Sequence, residues 1–249
     1  MREINPRLIA LDILQKLVER QSNSTLLLQR ELPRIADPKD RNLVTELVLG
    51  TLRWQKKLTG IILSLSRRPL SQLDSKVILI LQIGIYQLAF TRIPAHAAIY
   101  ETVNLCKRVR LTSAASFVNG VLRAAQEKLP ELPEPQNLNS DELLSYRWSH
   151  PQWLVNRWVE RFGEQEAIAL MQTNNQPAPV YIRVNELRAN PVQVRSHLEE
   201  AGLRAESTPF GSNVMLVTEG APQLTRSFSD GEFYIQDAGV EMLGGWIGP

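Results

Sequence analysis

From residue 5 to residue 128 the apolar positions recur every three or four residues, the spacing of helices buried along one side. Leu8, Leu11, Leu14 (or Ile13), Leu17 and Val18 form the first stripe, opened by Asn5-Pro6, a cap followed by proline at the first helical position. Asp37-Pro38-Lys39-Asp40 repeats the device: Asp37 can cap, and Asp40 lies in the first turn, where the helix dipole favours an anion. The helix it opens carries Leu43, Val44, Leu47, Val48 and Leu52 on one face, and Leu58, Ile61, Ile62 and Leu65 follow. Pro69 breaks the pattern, Asp74 offers a cap for a helix over 75–90, and Pro94 marks the next turn. Two more helices fit 96–110 and 113–128. The stretch Val77 to Phe90 includes Gln82 and Gln87 and is too short to span a bilayer, so it is expected to be a buried core helix. No segment here alternates with period two for long enough to be a strand.

Residues 129–140, LPELPEPQNLNS, hold three prolines and end in a cap signal, the composition of a linker between domains. Asp141 to Phe162 then reads as helix, with Leu154, Val155, Trp158, Val159 and Phe162 on one face and Gly163 as the stop. After that the period changes. Val180, Ile182 and Val184 alternate with Tyr181, Arg183 and Asn185, which predicts a strand. Asn190-Pro191 opens a short helix that Gly202 closes, and Asn213 to Glu219 and Glu232 to Gln236 are further predicted strands. The expected architecture is multidomain and mainly α: an all-α bundle over 1–128, a linker over 129–140, and a smaller α+β domain with a βαββ-type sheet over 141–249.

Composition adds little until charge is split along the chain. Residues 1–128 hold 20 Lys/Arg against 10 Asp/Glu, a balance of +10, while 129–249 hold 8 against 16, a balance of −8; together they return the net +2 of the chain. A basic half of this kind suggests a polyanionic partner. Its cations come in groups: Arg53, Lys56 and Lys57; Arg67 and Arg68; Lys107, Arg108 and Arg110; and Arg123. Any one pair is ordinarily a solvated helix face, and Lys107 to Arg110 also suits a helix C-terminus. Several groups in one small domain point instead to phosphate contacts, which give affinity without sequence readout. These nine residues are the candidate RNA contacts. Trp148 and Trp153 could stack on bases, although packing is the commoner role of a tryptophan.

Candidate chemistry is thin. His96, His150 and His197 lie far apart and lack companions at metal-ligand spacing. Cys106 is the one cysteine, which excludes an internal disulfide and a cysteine-based metal cluster; in a helix with Val103 and Val109 it is expected to be a small core residue. The GGWIGP stretch at 244–249 lacks the lysine of a phosphate-binding loop. The sequence therefore predicts no catalytic residue, no cofactor-binding residue and no metal site. MREINPRLIALDIL has no long apolar run followed by a cleavage site, so a cytoplasmic protein without a membrane partner is expected.

Several stretches together carry a family resemblance. TRIPAHAAIYETVNLCKRVR (91–110) and SFVNGVLRAA (116–125) resemble the NusB-type RNA-binding domain, in the version found at the N-terminus of the Sun (Fmu) family of bacterial 16S rRNA (cytosine-5)-methyltransferases. HPQWLVNRWVERFG (150–163), YIRVNELR (181–188) and GEFYIQDAGVEMLGGWIGP (231–249) are similar to the segments leading into that family's catalytic domain. The resemblance implies 16S rRNA as partner and, for the full-length family, S-adenosylmethionine as cofactor with a pair of catalytic cysteines. Neither cysteine corresponds to Cys106, and Pro249 falls where the cofactor domain would begin, so those roles carry over to no position here. This chain is expected to bind RNA, to methylate nothing alone, and to present a partly uncovered apolar side on GEFYIQDAGVEML towards its own missing catalytic domain. Two other readings remain open at this point: a NusB-like factor of transcription antitermination, and a helical scaffold for protein contacts.

Overall fold

The computed structural model describes residues 5–20, 23–66, 68–131, 134–135 and 138–247. Ten helices of the first part are α1 (Pro6–Arg20), α2 (Ser24–Glu31), α3 (Pro38–Arg53), α4 (Gln55–Leu65), α5 (Ser75–Phe90), α6 (Ala95–Arg108), α7 (Ala115–Lys128), α8 (Ser140–Arg147), α9 (Gln152–Phe162) and α10 (Glu164–Asn174). The starts follow the cap signals. Asn5 accepts from Leu8 N at 3.0 Å, Asp37 from Lys39 N at 2.8 Å and Asp74 from Lys76 N at 2.7 Å. Packing divides the chain into two compact units between Asn175 and Gln176.

In the first unit α5 is the hub, packed by α1, α3, α4, α6 and α7. It is buried almost all round, with Val77 and the run from Leu79 to Gln87 inside, and this is why its sequence shows no polar stripe. Its two glutamines make hydrogen bonds there, although the buried Oε1 of Gln82 has no partner among the described residues. Gln82 donates to Thr59 at 2.9 Å, while Gln87 accepts from Arg7 Nε at 2.8 Å and donates to Thr102 at 3.2 Å. Where helices approach most closely the sequence has glycine: a Cβ on Gly50 of α3 would lie 2.0 Å from Tyr86 Cζ, and one on Gly60 of α4 would lie 2.3 Å from Tyr146 Cε2 of α8.

The predicted continuous helix over 141–162 is instead α8 and α9 with a sharp turn between them. Ser149 takes a left-handed φ of 58°, and the residue before Pro151 is disfavoured in helical conformation. The turn is closed by Ser149 N to Tyr146 O at 3.3 Å and His150 N to Ser145 O at 3.1 Å. It also does a second job. Helix α4 has no side-chain cap of its own, and Ser149 Oγ accepts from Lys56 N at 3.0 Å and Lys57 N at 3.4 Å, capping α4 from 93 residues away. Helices α8 to α10, which share a small core of Leu144, Val155, Ala167 and Met171, thereby fall with the first unit, whereas the sequence groups them with the second.

The second unit runs β1 (Val180–Val184), α11 (Pro191–Glu200), β2 (Arg204–Thr208), β3 (Gly211–Glu219), α12 (Arg226–Ser229), β4 (Phe233–Ile235) and α13 (Ala238–Ile247). Its sheet is antiparallel throughout, in the order β2-β3-β1-β4, with Ile182 opposite Met215 on one side and Ile235 on the other. The order of elements is βαββαβ, one strand and one helical turn more than the βαββ expected. Ile182, Val184, Val194, Leu198, Met215 and Phe233 form the core between sheet and α11.

Candidate nucleic-acid interface

The predicted cations separate into two groups with different surroundings. Arg53, in the last turn of α3, is half-buried near Tyr86 and Glu46. The Lys56 ammonium donates to the buried hydroxyl of Ser145, and burial pulls it below the ordinary lysine value against the opposing pull of Glu142. Lys57 lies over the Trp54 ring at 5.4 Å from its centroid and is likewise lowered by burial, with Glu134 acting to raise it. The two lysines are tied into the contact between α4 and α8, and Arg53 into that between α3 and α5.

The second group faces solvent around α6 and α7. Lys107, Arg108, Arg110 and Arg123 are all exposed. Arg110 occupies the left-handed position that ends α6, with φ at 62°, and the end is closed by Arg110 N to Lys107 O at 3.3 Å and Leu111 N to Cys106 O at 2.7 Å. Arg68 lies across the exposed side of α7, its guanidinium 5.4 Å from the Phe117 ring centroid. Arg67 lies outside the described residues.

Helices α6 and α7 also enclose a notch of about 190 Å³, and Lys107 and Arg123 both line it. Tyr100, Asn104 and Lys107 stand on one face of α6, a turn apart, and Asn119 and Arg123 on one face of α7. His96 stands at its edge, and Ile99 and Val103 supply apolar lining. Clustering in the sequence singles out the two cations here but not Tyr100, Asn104 or Asn119. Their signal is the one-turn spacing of polar residues on helices whose other faces are apolar.

The aromatic candidates divide as well. Trp148 packs partly buried against the small core of α8 to α10, and Trp153 is 65% exposed. Cys106 is fully buried, and burial raises its thiol above the ordinary value. In the second unit a 500 Å³ depression is lined by His197, Ser227 and Glu232. Glu232 Oε2 accepts from His197 Nδ1 at 2.9 Å and from Ser227 Oγ at 2.5 Å. The serine therefore gives its proton to the carboxylate and not to the imidazole, so this trio fastens α11, α12 and the start of β4 together and is not arranged as a nucleophile and base. Among the described residues no group of three or more His, Cys, Asp or Glu is placed to hold a metal, and no helix is long and apolar enough to cross a membrane.

Comparison with known proteins gives two successive family matches, the second of which begins in the turn between α8 and α9, before the boundary at Asn175. Residues 4–127 match the NusB family, and residues 150–222 match the Methyltr_RsmF/B-like, ferredoxin-like domain, in keeping with the βαββαβ sheet. The chain therefore carries a NusB-family domain followed by an RsmF/B-like ferredoxin-like domain. Over 249 residues it is 30% identical to ribosomal RNA small subunit methyltransferase B of Escherichia coli strain SMS-3-5, and equally so to the protein of that name from Shigella boydii serotype 18. Each comparison covers all of this chain and 56% of the relative, so the chain spans about half the length of the curated relatives it matches. The crystal structure of PH0851 superposes with a TM-score of 0.63 at 17% identity, over 94% of this chain and 53% of that one, a likeness of fold.

Proposed function

We propose that this chain is the RNA-recognition portion of a Sun/Fmu-type small-subunit ribosomal RNA (cytosine-5)-methyltransferase, acting in the cytoplasm on 16S rRNA. One observation carries the reading: Lys107 and Arg123, from two helices, converge on a single solvent-facing notch of a basic NusB-family domain. Arg110 and Arg68 extend the positive surface beside it. The α4 lysines serve the fold in this reading and the α6–α7 cations serve the RNA. In this reading the NusB-type domain over 1–128 does the recognising, and the chain from 141 onwards leads into catalysis.

The residues here do not fit the methyl-transfer chemistry of the resemblance. That chemistry needs an accessible thiolate, and the one thiol of this chain, Cys106, is sealed in the bundle with its ionisation disfavoured. S-adenosylmethionine and the base-attacking cysteine belong, in this reading, to the further length that the relatives have. What this chain supplies is binding and orientation, with phosphate contacts setting the register of the RNA.

Fluorescence anisotropy with a small-subunit rRNA fragment at two or more salt concentrations tests the reading. Binding should fall steeply with salt. The double variant Lys107→Gln/Arg123→Gln should weaken it and flatten the log–log salt dependence by roughly 1.4 to 1.8, about 0.7 to 0.9 for each phosphate no longer neutralised. A folded chain that binds no RNA at low salt would reduce these cations to solvated surface.

A further inference from the structure

We infer that the α6–α7 notch is a pocket for one unpaired RNA base, stacked on Tyr100 and read along its edge by Asn104 and Asn119, with the strand running over α7 at Gly120. The inference rests on the RNA-recognition reading and narrows it to single-stranded RNA. Three features of the notch point beyond phosphate binding. Tyr100 is 66% exposed, an aromatic face presented to solvent where a core aromatic would be buried. Asn104 and Asn119 are only half-exposed, yet among the described residues neither side-chain amide has a hydrogen-bond partner. Each amide offers both a donor and an acceptor, the combination that the edge of a base satisfies and a phosphate does not. Lys107 and Arg123 stand on the rim, where the phosphates flanking an inserted base would lie.

Gly120 supplies an independent argument. It lies inside α7, exposed, and a Cβ built there meets nothing within 4 Å. Gly50 and Gly60 are explained by a neighbour that a side chain would strike; Gly120 has no such neighbour. A glycine inside a helix costs stability relative to alanine, so its use at an open position calls for something outside the fold that comes close. It follows Asn119 directly and precedes Arg123 by one turn, and on its other side Arg68 lies over Phe117. A sugar–phosphate strand crossing α7 at Gly120 would have cations on both sides and its base directed into the notch.

The test uses the full chain with three labelled probes, a single-stranded small-subunit rRNA segment, the same segment annealed to its complement, and poly-U of equal length, each titrated by anisotropy over a range of salt. The expected result is tighter binding of single strand than of duplex. Tyr100→Ala should lose at least about fivefold for single strand, the lower end of base-stacking effects, with the salt dependence unchanged. Gly120→Leu should raise the melting temperature, because leucine favours helix, and yet weaken single-strand binding. That opposition separates a blocked strand path from a damaged fold. If Tyr100→Ala and Gly120→Leu bind like the parent while Lys107→Gln/Arg123→Gln binds less, the base pocket is wrong and the phosphate surface stands. If all three variants match the parent, both readings of this face fail.

Discussion

Arg110 and Ser149 hold the left-handed conformation that glycine occupies at many helix ends, and both carry a side chain that glycine would lack. For Ser149 the reason lies within the fold, since its hydroxyl caps α4. Ser149→Ala should lower the unfolding free energy by about 1 kcal/mol, the usual cost of removing a cap, measured by urea denaturation. Ser149→Gly should cost less, because it removes the strain together with the cap; an alanine variant as stable as the parent would refute the capping role. For Arg110 the side chain faces solvent. Arg110→Gly should therefore stabilise the chain, by roughly 1 kcal/mol from the relieved backbone, while reducing RNA affinity and its salt dependence. A glycine variant that is both more stable and fully active in binding would remove Arg110 from the interface.

The fastening of α11 to α12 and β4 is the part of the second unit that should respond to pH. The hydrogen bond and charge of Glu232 raise the His197 pKa above 6.5. Burial pushes the Glu232 carboxyl up, but hydrogen bonds from Ser227 and His197 outweigh it and hold it below 4.5. A histidine raised on folding contributes most below its unfolded value and loses that contribution as pH rises through the folded one; a lowered carboxyl contributes above its unfolded value. The trio should thus be firmest between about pH 4.5 and 6.5 and loosen above that, seen as faster amide exchange in β4 at pH 8 than exchange chemistry alone explains. His197→Gln, which can still donate but cannot titrate, should abolish the excess. In the first unit, Gly50→Ala should cost about 1–3 kcal/mol by driving Tyr86 away from α3 and off its hydrogen bond with Glu46. The elements behind these predictions differ in how plainly they can be read. Helix starts at Asn5, Asp37, Asp74 and Asn190 are legible because a cap is a local device. Strand β2 is not, since Ala205 is its one buried residue and Glu206 and Ser207 give no apolar alternation. The break at Ser149 is only half legible: Pro151 disfavours helix at His150, but the apolar stripe of α9 continues in phase with the helix before it. The cation clusters are legible as clusters. Their division is not, because Lys56 finds its partner Ser145 at a separation of 89 residues.

Charge and exposed apolar surface make opposite demands on the chain in solution. The +10 balance of residues 1–128 should make RNA binding weaken with salt. In the second unit Tyr234, Ile235, Val240, Met242 and Leu243 are all exposed, the uncovered apolar side expected of GEFYIQDAGVEML. Such a surface favours association, which salt does not screen. Light scattering should show self-association that persists or grows in high salt and that Val240→Lys/Leu243→Lys reduces; a monomer at high concentration would count against it. The cap that Ser149 places on α4 has a further consequence, one of timing. The backbone donors at the start of α4 emerge 93 residues before the hydroxyl that satisfies them. At ordinary synthesis rates that is a wait of about 5 to 20 s. During translation the early helices must therefore persist with α4 unfinished, and the bundle locks only when the turn after α8 is made. The stretch that reads as a separate domain up to residue 128 should thus gain its full stability only once some twenty further residues have followed it out of the ribosome.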